Sequence, residues 1–306
     1  MRIDLHAHVL TPRFAKALEP TPVPLLPHPP DALHSFMDRF EISASVVSML
    51  SGTPVTSAEV ARIGNEELAE LIRDQPDRLG GLAILPITWD SPDRAIEEVE
   101  YGLDVLGLDG VQLLSCHDGR YLGDPSFEDL FAELNRRKAY ATVHPVVPRD
   151  GWPLDHPVWL YEFTFETTRA MANLIYSGAF ERYPDIRLQF AHLGGTTPFL
   201  SHRIASLATR DPDQATQAPA GALEYLHRQY YDTGLANNKA ALASTLEVAS
   251  SDHIVFGTDW PYLYVPDDRN DPSEDFELID PLLRDRIESK NALALVPRLA
   301  ERLTGQ

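Results

Sequence analysis

The sequence predicts a (β/α)8 TIM barrel, a single domain spanning residues 1–306, and three observations lead there. Short β-branched or apolar runs alternate with segments of helical period, which is the signature of a parallel sheet connected by helices. Eight such units favour closure into a barrel over an open sheet, and the length suits one barrel-sized domain. No G-x-G-x-x-G opens a helix after a strand, which disfavours a dinucleotide-binding sheet.

The expected strands, in order, are Arg2–Leu5, Ala44–Leu50, Leu79–Leu85, Gly110–Leu114, Ala139–Val143, Ile186–Ala191, Tyr230–Thr233 and Ile254–Gly257. Each is a short apolar run bounded by turn or helix signals. Between them, Ser57–Gln75 starts on a capping serine and places Leu68, Leu71 and Ile72 on one face. Pro92–Leu106 follows Ser91 and has proline at its first helical position. Phe127–Arg137, Thr167–Arg182 and Lys239–Ala249 read as helices by the same logic, and Asp280–Leu303 as one or two closing helices. Two stretches read as loops covering a barrel mouth: a Pro-rich one near 19–35 and an acidic one near 262–280.

Composition narrows the function. The 26 Lys and Arg against 46 Asp and Glu give a net charge of −20, a surface that repels phosphate backbones and anionic lipid. Neither nucleic acid nor membrane is therefore expected as a partner. A small anionic substrate stays compatible, because a bound cation can dominate the local field. No apolar run approaches the roughly 20 residues that span a bilayer. The opening MRIDLHAHVL lacks the basic segment and longer apolar core of a signal peptide, and Cys116 is the only cysteine, so a cytoplasmic location is expected.

The histidines carry the chemistry. Active sites of such barrels lie at the C-terminal ends of the strands. His6 and His8 follow the first strand in IDLHAH, His144 ends the fifth in ATVHP, and His192 follows the sixth in LQFAHLGG. Asp259 follows the eighth in IVFGTDWP. Two residues apart on an extended segment, His6 and His8 point to one side and reach a common ion. Imidazoles with one carboxylate suit Zn²⁺, and also Mn²⁺ or Fe²⁺, with a position open for substrate. Any one of these residues alone is commonplace. Their convergence from four strands indicates a metal site. Of the other histidines, His28, His117 and His156 are those within reach of the mouth.

His6-x-His8, His144-Pro145, His192-x-Gly194-Gly195 and Gly257-Thr258-Asp259 resemble the amidohydrolase superfamily. The stretch IYSGAFERYPDIRLQFAHLGG is similar to the branch around aminocarboxymuconate-semialdehyde decarboxylase, whose members are mostly non-hydrolytic. Leu106–Asp124 and Phe165–Arg169 resemble 6-methylsalicylate decarboxylases, with Cys116 at a position more usually held by Asn.

The resemblance implies a metal-dependent, non-oxidative decarboxylase of a salicylate-like or enol-type acid, and a homodimer. His6, His8, His144 and Asp259 would hold a mononuclear Zn²⁺ (or Mn²⁺) that the substrate chelates through its carboxylate and ortho hydroxyl. Asp259 would protonate the ring carbon and His192 would orient the substrate. The strand-four end, LLSCHDG, offers no lysine for a second metal. Arg120, Cys116, Phe165, Arg169 and Trp260 are candidate substrate contacts, with Trp89, Trp152 and Phe163 as further walls. Hydrolysis of a lactone, ester or amide, hydration of a double bond, and a non-catalytic binding barrel are the alternatives.

Overall fold

The computed structural model describes residues 1–18, 29–49, 54–148, 151, 155–263, 265, 271–273 and 279–305. The Pro-rich segment 19–28, His28, Trp152 and parts of the 262–280 loop lie outside them.

Eight parallel strands hydrogen-bond in one sheet. They are β1 (Ile3–Val9), β2 (Ala44–Met49), β3 (Leu79–Ile84), β4 (Gly110–Leu114), β7 (Tyr140–His144), β8 (Arg187–Phe190), β9 (Tyr230–Asp232) and β10 (Ile254–Val255). A separate antiparallel hairpin, β5 (Cys116–His117) and β6 (Arg120–Tyr121), follows β4. The first and last strands close the ring. Leu5 N–H donates to Phe256 O at 2.9 Å and His8 N–H to Trp260 O at 2.8 Å, and Ala7 bridges to Trp260 in parallel register.

The expected strands are all present, with one change that matters for the site. β1 does not stop at Leu5 but runs through both histidines to Val9. Its pairing with β2 slips between Asp4 and Ala7, where three steps of β1 oppose two of β2. Such a bulge re-aims side chains. Here it lets the consecutive residues Leu5, His6 and Ala7 all border the barrel interior. The regular alternation invoked for His6 and His8 is thus replaced by a local irregularity with the same outcome.

The helices follow their expected signals. Ser57 Oγ caps Ala58–Asp74 by accepting from Val60 N–H, as a capping serine does. The segment expected over 167–182 starts earlier, at Glu162, and breaks at Gly178, which adopts the left-handed conformation between Glu162–Tyr176 and Ala179–Arg182. The loop expected near 19–35 is shorter at its C-terminal side, because Pro30 sits in the first turn of a helix, Pro30–Arg39. Proline lacks the N–H that a first turn leaves unused anyway.

The closing helices Asn291–Leu295 and Pro297–Thr304 seal the N-terminal end of the barrel. Ala292, Leu295, Val296 and Leu299 are buried with Ile3, Leu5, Ala44 and Val46 in one apolar cluster. With that end plugged, the C-terminal ends of the strands are left for chemistry.

Candidate metal centre

Each of the five predicted groups reaches the C-terminal mouth, and all are buried. Ligand atoms of His6, His144, His192 and Asp259 lie within 4.8 Å of one another. His8 borders this group: its ring centroid is 5.1 Å from those of both His6 and His144, and its Nε2–H donates to Asp259 Oδ1 at 2.8 Å. His192 Nε2–H donates to the other oxygen, Oδ2, at 3.0 Å. With His6 Nε2 3.3 Å from Oδ1, Asp259 sits among three imidazoles.

Neighbouring side chains and carbonyls fix the rings. His6 Nδ1–H donates to Asp232 Oδ1 at 2.9 Å, and His144 Nδ1–H donates to Pro145 O at 2.7 Å. His8 Nδ1 lies 2.9 Å from Ser48 Oγ. Orienting a ligand histidine through its second nitrogen is the usual arrangement around protein-bound metals. Asp232 is itself held by Gln189 Nε2 at 2.9 Å and Gly234 N–H at 3.0 Å. Asp4, also buried, ties the two ends of the barrel together by accepting from His6 N–H and Thr258 N–H, each at 3.0 Å.

Nitrogens left over by these contacts test the metal reading. His6 Nε2, His144 Nε2 and His192 Nδ1 are buried without a well-formed hydrogen bond among the described residues, His6 Nε2 lying 3.3 Å from Asp259 Oδ1. Buried polar atoms are seldom left so: the His6 and His144 nitrogens fit ligands to a cation, and His192 Nδ1 is left to meet a substrate or a proton. The electrostatics agree. Burial works against a charged His6, yet Asp232 and Asp259 outweigh it and raise its pKa well above the ordinary value. Burial, reinforced by His8 and His6, keeps His144 well below the usual range and neutral. Burial opposes ionisation of Asp259, but His6, His192 and His8 hold its carboxyl well below the usual range. The cluster thus stabilises positive charge at its centre while presenting neutral imidazole, the donor set a divalent cation favours.

The backbone is bent to make this possible. His192, Leu193 and Asp259 have φ of 57°, 51° and 60°, in the left-handed region that non-glycine residues seldom occupy. Such conformations concentrate at functional sites. Gly195 follows at φ 64°, and a β-carbon there would stand 2.2 Å from the Thr164 carbonyl oxygen, so the turn that carries His192 requires glycine.

The predicted substrate contacts are more scattered. Trp260 is buried next to Asp259, and its ring lies 6.3 Å from Phe36. Phe163 approaches the site, its ring 6.4 Å from His144, whereas Phe165 is half-exposed and meets Tyr161. Arg169 is held by Glu166 at 2.6 Å, and Arg120 bonds Ser126 and lies 4.4 Å over the Trp89 ring. Both arginines are engaged by neighbours. Cys116 is buried in the hairpin beside His117, and His156 is exposed.

Asp232 and Asp4 are candidate site residues that the sequence alone does not single out. The positional argument that found Asp259 applies equally to Asp232, the last residue of β9. Replacing Asp232 by Asn keeps an acceptor for His6 but removes the charge. Metal affinity is expected to drop 10- to 100-fold. Competition with a calibrated chelator would measure it, and unchanged affinity would remove Asp232 from the site.

An eight-stranded parallel barrel with a buried His/Asp cluster at its C-terminal mouth, able to hold a metal ion, has the arrangement of an amidohydrolase-type protein. The chain belongs to the amidohydrolase family, whose profile matches residues 3–298. Among curated relatives, it is 33% identical over 285 residues to the decarboxylase yanB of Aspergillus niger, covering 85% of this chain and 77% of that one. It is 28% identical over 317 residues to 6-methylsalicylic acid decarboxylase of Penicillium expansum, covering 97% of both. A crystal structure of dihydroxybenzoic acid decarboxylase from Polaromonas sp., with bound manganese and 2-nitroresorcinol, superposes with a TM-score of 0.77. At 22% identity, covering 97% of this chain and 96% of that one, this likeness carries the fold.

Proposed function

We propose that the protein is a metal-dependent, non-oxidative decarboxylase of a salicylate-like aromatic acid, a carboxy-lyase within the amidohydrolase family. The observation that carries this reading is the buried cluster of imidazole nitrogens without well-formed hydrogen bonds around Asp259, in a chain whose relatives are named decarboxylases. His6, His8, His144 and Asp259 would hold one ion, Zn²⁺ or Mn²⁺, with His8 Nε2 releasing the proton it otherwise donates to Asp259. The ion, when bound, supplies positive charge that fixes the substrate carboxylate and its ortho oxygen.

The chain's own residues manage the proton. Direct loss of CO2 from an aromatic ring would leave an aryl carbanion, so protonation of the ring carbon comes first. Three imidazoles favour the ionised form of Asp259, and the proton is therefore held on the adjacent His192 Nε2. From the doubly protonated ring, the Nε2 proton crosses the 3.0 Å hydrogen bond to Asp259 Oδ2 and passes to the ring carbon, leaving His192 a neutral imidazole with its proton on Nδ1. The ring then rearomatises as CO2 leaves. Phe163 and Trp260 keep the site apolar beside the reacting ring.

Several finer attributes belong to the same proposal. Zn²⁺ as the native ion, one barrel domain over 1–306 and a cytoplasmic location are inferred with it. Among the described residues, no helix is long and apolar enough to cross a membrane. A homodimer belongs to the same proposal, as the resemblance to the family implies.

Purified protein loaded with Zn²⁺ or Mn²⁺ is expected to release CO2 from at least one member of a hydroxybenzoate panel, followed by mass spectrometry of the phenol formed. Turnover of lactones or esters, with no CO2 from any acid, sinks the decarboxylase reading.

A further inference from the structure

A hydrogen-bonded chain crosses the barrel core from its closed end to the His/Asp cluster. It starts at Tyr140, the first residue of β7, which is buried in the apolar cluster under the closing helices with Ile3, Leu5 and Leu295. Gly110 on β4 makes room for the ring, since a β-carbon there would stand 2.7 Å from the Tyr140 Cδ1. The Tyr140 hydroxyl lies 2.8 Å from Gln189 Oε1. Gln189 Nε2 in turn lies 2.9 Å from Asp232 Oδ2, and Asp232 Oδ1 lies 2.9 Å from His6 Nδ1. Tyr140, Gln189, Asp232 and His6 are all buried.

The direction of the chain follows from the groups available. Gln189 Nε2 also faces Leu5 O, at 3.2 Å. A carbonyl oxygen only accepts, so the amide nitrogen is the end that faces Leu5 and Asp232. The amide oxygen then faces Tyr140, and the phenol must be the donor. Burial, with Asp232, Asp109 and Asp4 adding to it, pushes the Tyr140 hydroxyl well above its ordinary range, so it keeps its proton.

Packing alone would be served by phenylalanine, because the neighbours of the ring at the closed end are apolar. The hydroxyl acts on the Gln189 amide. A donor on the amide oxygen polarises the group and makes its N–H a better donor. That N–H grips two parts of the site at once. One is the backbone of Leu5, next to His6 at the irregular step of β1, and the other is the carboxylate that orients the His6 ring.

We propose that Tyr140 is a positioning residue of the metal centre, holding Gln189 in the orientation that fixes Asp232 and, through it, the ligand His6. It touches neither the ion nor the substrate. Its influence passes through three hydrogen bonds in series, from the plugged end of the barrel to the mouth. The proposal rests on the reading of the cluster as a metal site, and is independent of which reaction that site performs.

Tyr140→Phe removes the hydroxyl and keeps the ring. Its Zn²⁺ affinity, measured by competition with a calibrated chelator, is expected to be weaker by about three- to tenfold, the effect of losing one buried hydrogen bond. Gln189→Met keeps the volume and breaks the chain, and should weaken binding at least as much. Adding Tyr140→Phe to Gln189→Met should then cost nothing further, whereas a purely structural tyrosine would give additive losses. The visible spectrum of the Co²⁺-loaded protein should also shift in Tyr140→Phe, because it follows ligand geometry. Unchanged affinity, an unchanged Co²⁺ spectrum or additive losses overturn the proposal. A measurement on the wild type avoids any folding defect: titrating Zn²⁺ into the metal-free protein should shift the Tyr140 13Cζ resonance, and a resonance that stays in place overturns the idea. A wild type that binds neither Zn²⁺ nor Co²⁺ sinks the metal reading itself, an outcome distinct from a bound ion that is indifferent to Tyr140.

Discussion

Replacing Asp259 by Asn is expected to lower kcat by about 10³-fold or more, the largest effect of any single substitution in this chain. Positioned proton transfer alone contributes roughly 10² to 10⁴ in rate. Asn cannot accept a proton from His192 and return it to a ring carbon. It also removes the negative charge that lies 2.8 Å from His8 Nε2 and 3.0 Å from His192 Nε2. Metal occupancy would fall too, so the measurement has to be made at saturating Zn²⁺ with bound metal quantified in the same sample. A fully loaded Asn variant within tenfold of wild type would assign the proton to another group.

Stripping the metal is expected to abolish turnover, by roughly 10³-fold or more, with recovery when Zn²⁺ or Mn²⁺ is restored. His144→Ala should reproduce the stripped state. His144 is held neutral by burial, its Nδ1–H is committed to Pro145 O, and its Nε2 is left unpartnered toward the cluster. Elemental analysis of the variant should find well under the roughly one ion per chain of a mononuclear site. The sign of the pH dependence follows from His6. Asp232 and Asp259 raise its pKa well above the ordinary value, so below that pKa a proton competes with the ion. Affinity therefore falls as pH falls, and binding releases a proton. Calorimetry in buffers of different ionisation enthalpy would detect that release, and a stoichiometric metal content in His144→Ala would remove His144 from the ligand set.

Much of this architecture is written locally. The runs ASVVSM and YATVH are too short for helices and rich in β-branched residues, and they fold as buried parallel strands. The histidines were legible for a related reason: barrel topology brings every strand's C-terminal end to one face, so position along the chain translates into position in space. What stayed hidden depends on partners far away in sequence. The β1 bulge sits where the first strand meets the last, and His8 lies 251 residues from the Asp259 it contacts. Pattern reading over a dozen residues does not sense such a seam. The β5–β6 hairpin is a different kind of omission. Asp118-Gly119 is a strong local turn signal, but flanking strands of two residues each are too short to stand out by periodicity.

The seam of the barrel has a consequence for how the protein comes into being. Half of the cluster rides on the first strand and its carboxylate follows the last, so a chain still being synthesised carries two histidines with nothing opposite them. The ligand set becomes whole only after about 260 residues have emerged and the ring has shut, since Leu5 and Phe256 meet in the same closure that brings Asp259 to His8. Domains fold as units during synthesis, so capture of a cation by the full ligand set would have to await closure of the barrel. A cation bound at that junction would clasp the first strand of the barrel to the last.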